Sequence, residues 1–151
     1  MNYQIVEMEE KHVIGLAARA NNFSPDLQTA VNNLWGEFYK GEYLRQIQGR
    51  KNEKVYGIYS DYQSDETGDY NAMVACETDI TTEQPAETVV KILPKGKYAK
   101  FIVKGDVHQV IGAFWKNLWE MELDRVFECD YEEYQNEDTE NAEIHIYIGI
   151  K

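Results

Sequence analysis

The chain has 151 residues, of which 43% are hydrophobic, so it can build the core of one domain of ordinary size. Its net charge of −12 repels phosphate backbones, and we therefore expect no direct binding of nucleic acid. The same charge attracts cations, although the simplest interpretation of the acidity is solubility. The 11 tyrosines and 3 tryptophans predict that some rings serve binding as well as packing.

The sequence predicts a protein without a disulfide framework, a metal site or a cofactor. Its two cysteines, Cys76 and Cys129, and its three histidines have no metal-ligand spacing. The chain starts without a basic segment followed by an apolar run, and no apolar run reaches membrane-spanning length. We therefore expect a cytoplasmic protein that does not enter membranes.

Hydrophobic periodicity divides the first half into strands and one helix. Ser24-Pro25-Asp26 supplies an N-cap, a proline for the first helical turn and an early acid, which is typical of a helix start. The expected elements are a strand near Tyr3 and Ile5, a turn at 9–11, a strand at 13–17, a helix ending near Gly41, and strands at 54–61 and 70–78.

The same order of elements recurs after a linker at residues 81–85. The expected elements are strands at 88–93 and 98–103 around the turn 94–96, a helix opened by Gly105-Asp106, and strands at 126–134 and 143–150. The repeat is inferred from element order, since the halves share no convincing residue-level identity. The sequence therefore predicts an α+β fold: a duplicated strand-helix-strand-strand module (halves about 1–80 and 86–151) with an antiparallel sheet and two long helices.

Alternation assigns the side chains of two strands to faces. The last strand has its isoleucines on one face, expected to pack under the helices, and a more polar set on the other. In the preceding strand, Glu132 and Tyr134 share one face, while Tyr131 and Glu133 share the opposite face.

Five segments resemble the GyrI-like effector-binding domain, which AraC-type and other multidrug-responsive transcription regulators carry. The segment 93–101, Leu-Pro-Lys-Gly-Lys-Tyr-Ala-Lys-Phe, is the most specific, because it is similar to the family's proline-x-glycine-x-tyrosine-alanine hairpin. The others are Tyr56-Gly57-Ile58-Tyr59, Gly68-Asp69-Tyr70, the helix with Trp115, Leu118 and Trp119, and Tyr131-Glu132-Glu133-Tyr134.

This resemblance implies a cleft between the halves that binds lipophilic, often cationic, small molecules through a glutamate and aromatic rings. Glu132 is the residue predicted to recognise the positive charge. The alternative is an ordinary surface glutamate, which would have no role in binding. Trp115 and Trp119, four residues apart, share a helix face that can reach the cleft, whereas Trp35 is better explained by core packing. The candidate ring residues are Trp115, Trp119, Tyr59, Tyr98, Tyr134 and Tyr147.

Two alternatives remain open beside a binding protein that lacks a DNA-binding domain. The first is a small hydrolase in which Glu132, with a pKa raised by an apolar cleft, activates water as a general base. The second is a protein-interaction role, with gyrase or a regulator as the partner. No glycine-rich phosphate loop, nucleophile elbow or zinc motif is present, so no catalytic residue is assigned.

Overall fold

A computed structural model describes residues 1–40, 42–80 and 83–151. Gly41, the predicted end of the first helix, and Thr81 and Thr82 of the predicted linker lie outside this range. The strands are β1 (Gln4–Met8), β2 (Lys11–Asn21), β3 (Val55–Ser60), β4 (Asp69–Glu77), β5 (Val89–Leu93), β6 (Gly96–Gly105), β7 (Arg125–Tyr134) and β8 (Ala142–Ile150). The helices are α1 (Leu27–Lys40), α2 (Tyr43–Gln46) and α3 (Val107–Trp119).

Helix α3 begins where the sequence predicts, and α1 begins at Leu27, two residues after the predicted first helical position. The Ser24 hydroxyl accepts a hydrogen bond from the backbone N–H of Asp26 at 3.2 Å, and the Asp106 carboxylate accepts one from that of His108 at 3.0 Å. Both side chains thereby satisfy amides that have no partner inside the helix. Within the described helices, none is both long and apolar enough to cross a lipid bilayer.

The strands form one open antiparallel sheet in the order β1-β6-β8-β7-β3-β4-β2-β5. The α+β prediction is confirmed, with two long helices and one short helix that the sequence did not indicate. The strands β3 and β7 meet at the centre of the sheet, and Gly57 of β3 pairs with Glu132 of β7. This central pair lies at the junction of the two repeated units.

The expected chain reversal at residues 94–96 does not form a hairpin. Strand β5 pairs with β2, and β6 pairs with β1, so neither β1 with β2 nor β5 with β6 forms a ladder. Each short edge strand has thus been exchanged between the repeated units. The hairpin expectation was wrong because turn residues show where a strand stops, whereas pairing depends on distant strands.

Each face of the sheet has its own core. On the face under α3, Ile144, Ile146 and Ile148 are buried with Phe114 and Leu118, as alternation predicts. The cluster on the other face draws only on strands, including both edge strands. Among the described residues, this second cluster is therefore built by side chains of the strands alone.

Candidate ligand-binding site

Strand β7 carries three buried acids close together. Asp130, Glu132 and Glu133 are each at most 5% exposed. The pairing of Asp130 with Ile148 and of Glu132 with Ile146 places these two acids on the helix-covered face. Glu133 lies on the opposite face, which agrees with the alternation in the sequence.

Glu132 is surrounded by ring donors. Its Oε2 accepts hydrogen bonds from Trp115 Nε1 at 2.7 Å and from the Tyr59 hydroxyl at 3.0 Å. Its Oε1 accepts one from the Tyr134 hydroxyl at 2.8 Å. These bonds use neutral groups, so the carboxylate is solvated by the protein without having its charge cancelled.

The other two acids of β7 have cationic partners. Asp130 Oδ2 lies 2.7 Å from Arg125 Nη2, and Glu133 Oε1 lies 3.5 Å from Lys54 Nζ. Among the described residues, no lysine, arginine or histidine forms an ion pair with Glu132. Glu132 is therefore the buried acid of this strand without a counter-ion among the described residues.

The environment of each glutamate moves its pKa in a different direction. Burial raises the pKa of Glu132, and the hydrogen bonds from Trp115, Tyr134 and Tyr59 offset only part of that effect. Burial also acts to raise the pKa of Glu133, but the hydrogen bond from Gln135 and the charge of Lys54 outweigh it and lower that pKa. The same strand therefore carries one glutamate with a raised pKa, Glu132, and one with a lowered pKa, Glu133.

Two tryptophans, one from each long helix, enclose the Glu132 carboxylate. Trp115 of α3 meets Tyr59 edge to face, with ring centroids 5.2 Å apart. Trp35 of α1 meets Tyr134 in the same way at 5.0 Å. The two indoles thus approach from the two long helices and form the apolar walls around the carboxylate.

Gly57 provides the space that the carboxylate occupies. A Cβ atom at this position would lie 2.8 Å from Glu132 Oε1 and 3.4 Å from the Trp35 ring. Any other residue at position 57 would therefore push the carboxylate away from its hydrogen-bond donors. The glycine is explained by close approach, since its backbone is that of an ordinary strand.

Four of the predicted ligand residues come together: Glu132, Trp115, Tyr59 and Tyr134. Trp119, one turn beyond Trp115, is 47% exposed at the end of α3. The remaining two, Tyr98 and Tyr147, lie on the opposite face of the sheet.

Tyr98 and Tyr147 are separated from Glu132 by the sheet itself. Tyr147 stacks on Tyr131 with centroids 4.9 Å apart, and the Tyr98 hydroxyl donates to the Pro94 carbonyl at 2.6 Å. The structure therefore does not place them with Glu132. The alternation of β8 already separates Tyr147 from the isoleucines under the helices, which share their face with Glu132.

Trp35 and Gly57 are the residues of the site that sequence reasoning missed. Trp35 was assigned to core packing, but it contacts Tyr134 beside the carboxylate. A signal was present in the sequence, since Trp35 and Trp115 occupy the ninth position of helices that begin at Leu27 and Val107.

The expected cleft is closed by its own side chains. Glu132 is 1% exposed, and two surface cavities, of about 270 and 280 Å³, are lined by other residues. A ligand can reach the carboxylate only if the rings above it move. Within the described part of the chain, no cluster of His, Cys, Asp or Glu could hold a metal ion.

Comparison with known families identifies the family of the chain. The family model Cass2, integron-associated effector binding protein, matches residues 4–150. The chain belongs to this family. The GyrI-like resemblance is thereby confirmed, since solved structures of Cass2 and GyrI-like proteins share the fold. No curated protein matches the chain.

Solved structures agree with membership of the Cass2 family. The integron cassette protein VCH_CASS2 of Vibrio cholerae is 28% identical, with a TM-score of 0.76 over 97% of this chain and 95% of its own. SAV2435, solved with bound tetraphenylphosphonium, is 19% identical, with a TM-score of 0.82 over 100% and 94%. A Staphylococcus aureus protein described as a transcription regulation protein is 17% identical, with a TM-score of 0.73 over 99% of both chains.

Proposed function

We propose that this effector-binding protein takes up lipophilic organic cations and that Glu132 supplies their counter-charge. The observation that carries the proposal is a carboxylate that is 1% exposed, without an ion pair among the described residues, and enclosed by aromatic rings. Buried charges in proteins are normally paired, so an unpaired one indicates a partner from outside the chain.

The chemistry of the walls defines the class of cation. Trp35, Trp115, Tyr59 and Tyr134 offer ring surfaces, which attract a cation by about 0.5–2 kcal/mol each once water is excluded. A large cation with delocalised or shielded charge loses little hydration on entering such a site. A small, strongly hydrated ion would lose far more hydration, and the hydrogen-bonded Glu132 carboxylate by itself would not replace it.

In the empty protein, hydrogen-bond donors of the rings occupy the carboxylate in place of a cation. Trp115, Tyr59 and Tyr134 satisfy the lone pairs of Glu132 when no cation is present. Binding then places a full positive charge beside the carboxylate in a site from which water is excluded, where the attraction between opposite charges is strong. That the related SAV2435 was solved with tetraphenylphosphonium supports the choice of this cation as a probe.

The test compares tetraphenylphosphonium with the neutral triphenylphosphine oxide by calorimetric titration. Glu132→Gln keeps the shape of the side chain but removes its charge, so the cation should bind roughly 10- to 1000-fold more weakly. The neutral compound should bind the variant and the parent almost equally, because it gains nothing from the charge.

Glu133→Gln is the matched control, since it removes an adjacent acid that faces the other side of the sheet. It should leave the affinity for tetraphenylphosphonium unchanged. Equal affinity of the parent and both variants for the cation would refute the proposal. A larger loss from Glu133→Gln would place the cation on the opposite face.

The hydrolase and gyrase alternatives remain predictions with their own measurements. A hydrolase would convert its bound ligand, so recovery of unchanged ligand after long incubation would count against it. A gyrase modulator would alter supercoiling activity when it is added to that enzyme. Both carboxylate oxygens of Glu132 already accept hydrogen bonds, and this arrangement favours recognition of charge over activation of water.

A further inference from the structure

The two long helices present equivalent side chains to the site. They begin 80 residues apart, at Leu27 and Val107, and the same spacing relates their inward-facing positions. The equivalent pairs are Leu34 and Phe114, both buried; Trp35 and Trp115, both half-buried; Phe38 and Leu118, both buried; and Tyr39 and Trp119, both exposed. The helices therefore carry a half-buried tryptophan and an exposed ring at equivalent positions, beside two buried apolar positions.

The sheet continues this equivalence around Glu132. From the Gly57–Glu132 pair, two residues further along each strand lead to Tyr59 on β3 and Tyr134 on β7. Both tyrosines donate to the carboxylate, at 3.0 and 2.8 Å. Since β3 and β7 are antiparallel, an approximate twofold axis passes through the Gly57–Glu132 pair.

The ring contacts have the same symmetry. Trp115 meets Tyr59 at 5.2 Å and 77°, and Trp35 meets Tyr134 at 5.0 Å and 70°. The ring pairs therefore flank the axis with nearly equal geometry. The acid itself is single, because the equivalent position is Gly57 and a second side chain there would collide with the carboxylate.

We propose that the site selects two-armed cations, in which the positive centre lies between two aromatic groups. This inference rests on the cation-binding function proposed above. The centre would meet Glu132 on the axis, while each arm would contact one ring pair, Trp35 with Tyr134 or Trp115 with Tyr59. A cation that carries the same apolar mass in one arm can use only one of the two pairs.

Two isomeric cations test the selection. Dibenzyldimethylammonium has two arms, and (biphenyl-4-ylmethyl)trimethylammonium has one, with identical atoms and charge. We expect the two-armed isomer to bind the parent protein about tenfold more tightly, because it adds a second cation–π and stacking contact. Calorimetric titration of both isomers gives this ratio directly.

Substitution of each tryptophan shows whether both ring pairs take part. In Trp35→Leu and in Trp115→Leu, the ratio of the two affinities should fall from about ten toward one, since one arm has lost its partner. The ratio is the appropriate measure because the lost hydrogen bond from Trp115 to Glu132 affects both isomers alike. Thermal unfolding verifies that each variant is folded.

The rim residues provide a second pair of variants that do not endanger folding. Tyr39 and Trp119 are 41% and 47% exposed, so Tyr39→Leu and Trp119→Leu leave the core intact. They should lower the ratio by similar, smaller factors of about two to three, because rim rings contact only the ends of the arms. If only one of these two substitutions lowered the ratio of affinities, the result would contradict the twofold arrangement.

The outcomes separate this inference from the function on which it rests. If the isomers bind equally, or if only one tryptophan changes the ratio, the two-armed selection is overturned. The cation-binding function would still stand in that case if tetraphenylphosphonium loses affinity in Glu132→Gln. If tetraphenylphosphonium binding does not depend on Glu132, the function itself fails.

Discussion

At the scale of single residues, the three buried acids of β7 show that burial alone does not define a binding site. Asp130 and Glu133 are as buried as Glu132, but Arg125 and Lys54 neutralise them. A paired acid has its charge balanced within the chain and needs no external cation. Among the described residues, the lack of an ion pair therefore distinguishes Glu132 from these two buried acids.

Stability should depend on pH through Glu132 in a defined direction. Burial raises its pKa in the folded protein above the ordinary value for glutamate. The stabilisation from the neutral form is full below that ordinary value and is lost as the pH rises through the raised pKa. Glu132→Gln cannot ionise, so its free energy of unfolding relative to the parent should increase across this interval and then level off.

Urea denaturation of the parent and Glu132→Gln at a series of pH values measures this difference. The amide can donate to the Tyr134 hydroxyl, while its oxygen accepts from Trp115 and Tyr59, so the variant loses little packing. Two curves that remain parallel over the whole pH range would show that Glu132 is not perturbed in the folded state.

At the scale of elements, the contact between β3 and β7 at Glu132 requires glycine, which has no side chain, at position 57. Gly57→Ala places a methyl group 2.8 Å from Glu132 Oε1, so the carboxylate must leave the Tyr134 hydroxyl. We expect a loss of about 1–3 kcal/mol in the free energy of unfolding, measured by denaturation. The loss should largely disappear when Glu132→Ala is present as well, because the two residues are in contact.

Gly112→Ala is the matched control for this glycine substitution. A Cβ atom there meets nothing within 4 Å, and the residue lies inside α3. Alanine in a helix interior should increase stability by roughly 0.5–1 kcal/mol relative to glycine. Equal effects of the two substitutions would indicate that Gly57 has only a conformational role.

At the scale of the whole molecule, the exchange of edge strands joins the repeated units. β1 extends the sheet beside β6, and β5 extends it beside β2. Val6 and Met8 of β1 also pack against the strand-only cluster that contains residues from both units. Neither unit can therefore unfold without removing an edge from the other.

We predict that the chain behaves as a single domain and unfolds in one cooperative step. Circular dichroism should follow the loss of the sheet, and tryptophan emission should follow the opening of the ring site. The two urea transitions should coincide because both depend on the same exchanged strands. Separate midpoints would show that the repeated units are independent domains.

The sequence by itself determined the features that depend on neighbouring residues. Capping residues located the starts of α1 and α3, and alternation placed Glu132 and Glu133 on opposite faces. These signals are local, because a helix end or a strand face is decided within a few residues. The family resemblance then selected Glu132 from the many acids of the chain.

Only the tertiary structure decided which distant residues meet. The pairing of β1 with β6, the approach of Trp35 to Tyr134, and the ion pair of Lys54 with Glu133 each join parts of the chain that local patterns cannot relate. Strand pairing is chosen by the burial of a whole sheet face, and ion pairing by side-chain reach across it. For this reason the sequence indicated an acidic residue in a ring-lined site, whereas its lack of a counter-ion and its place on a twofold axis emerged from the fold.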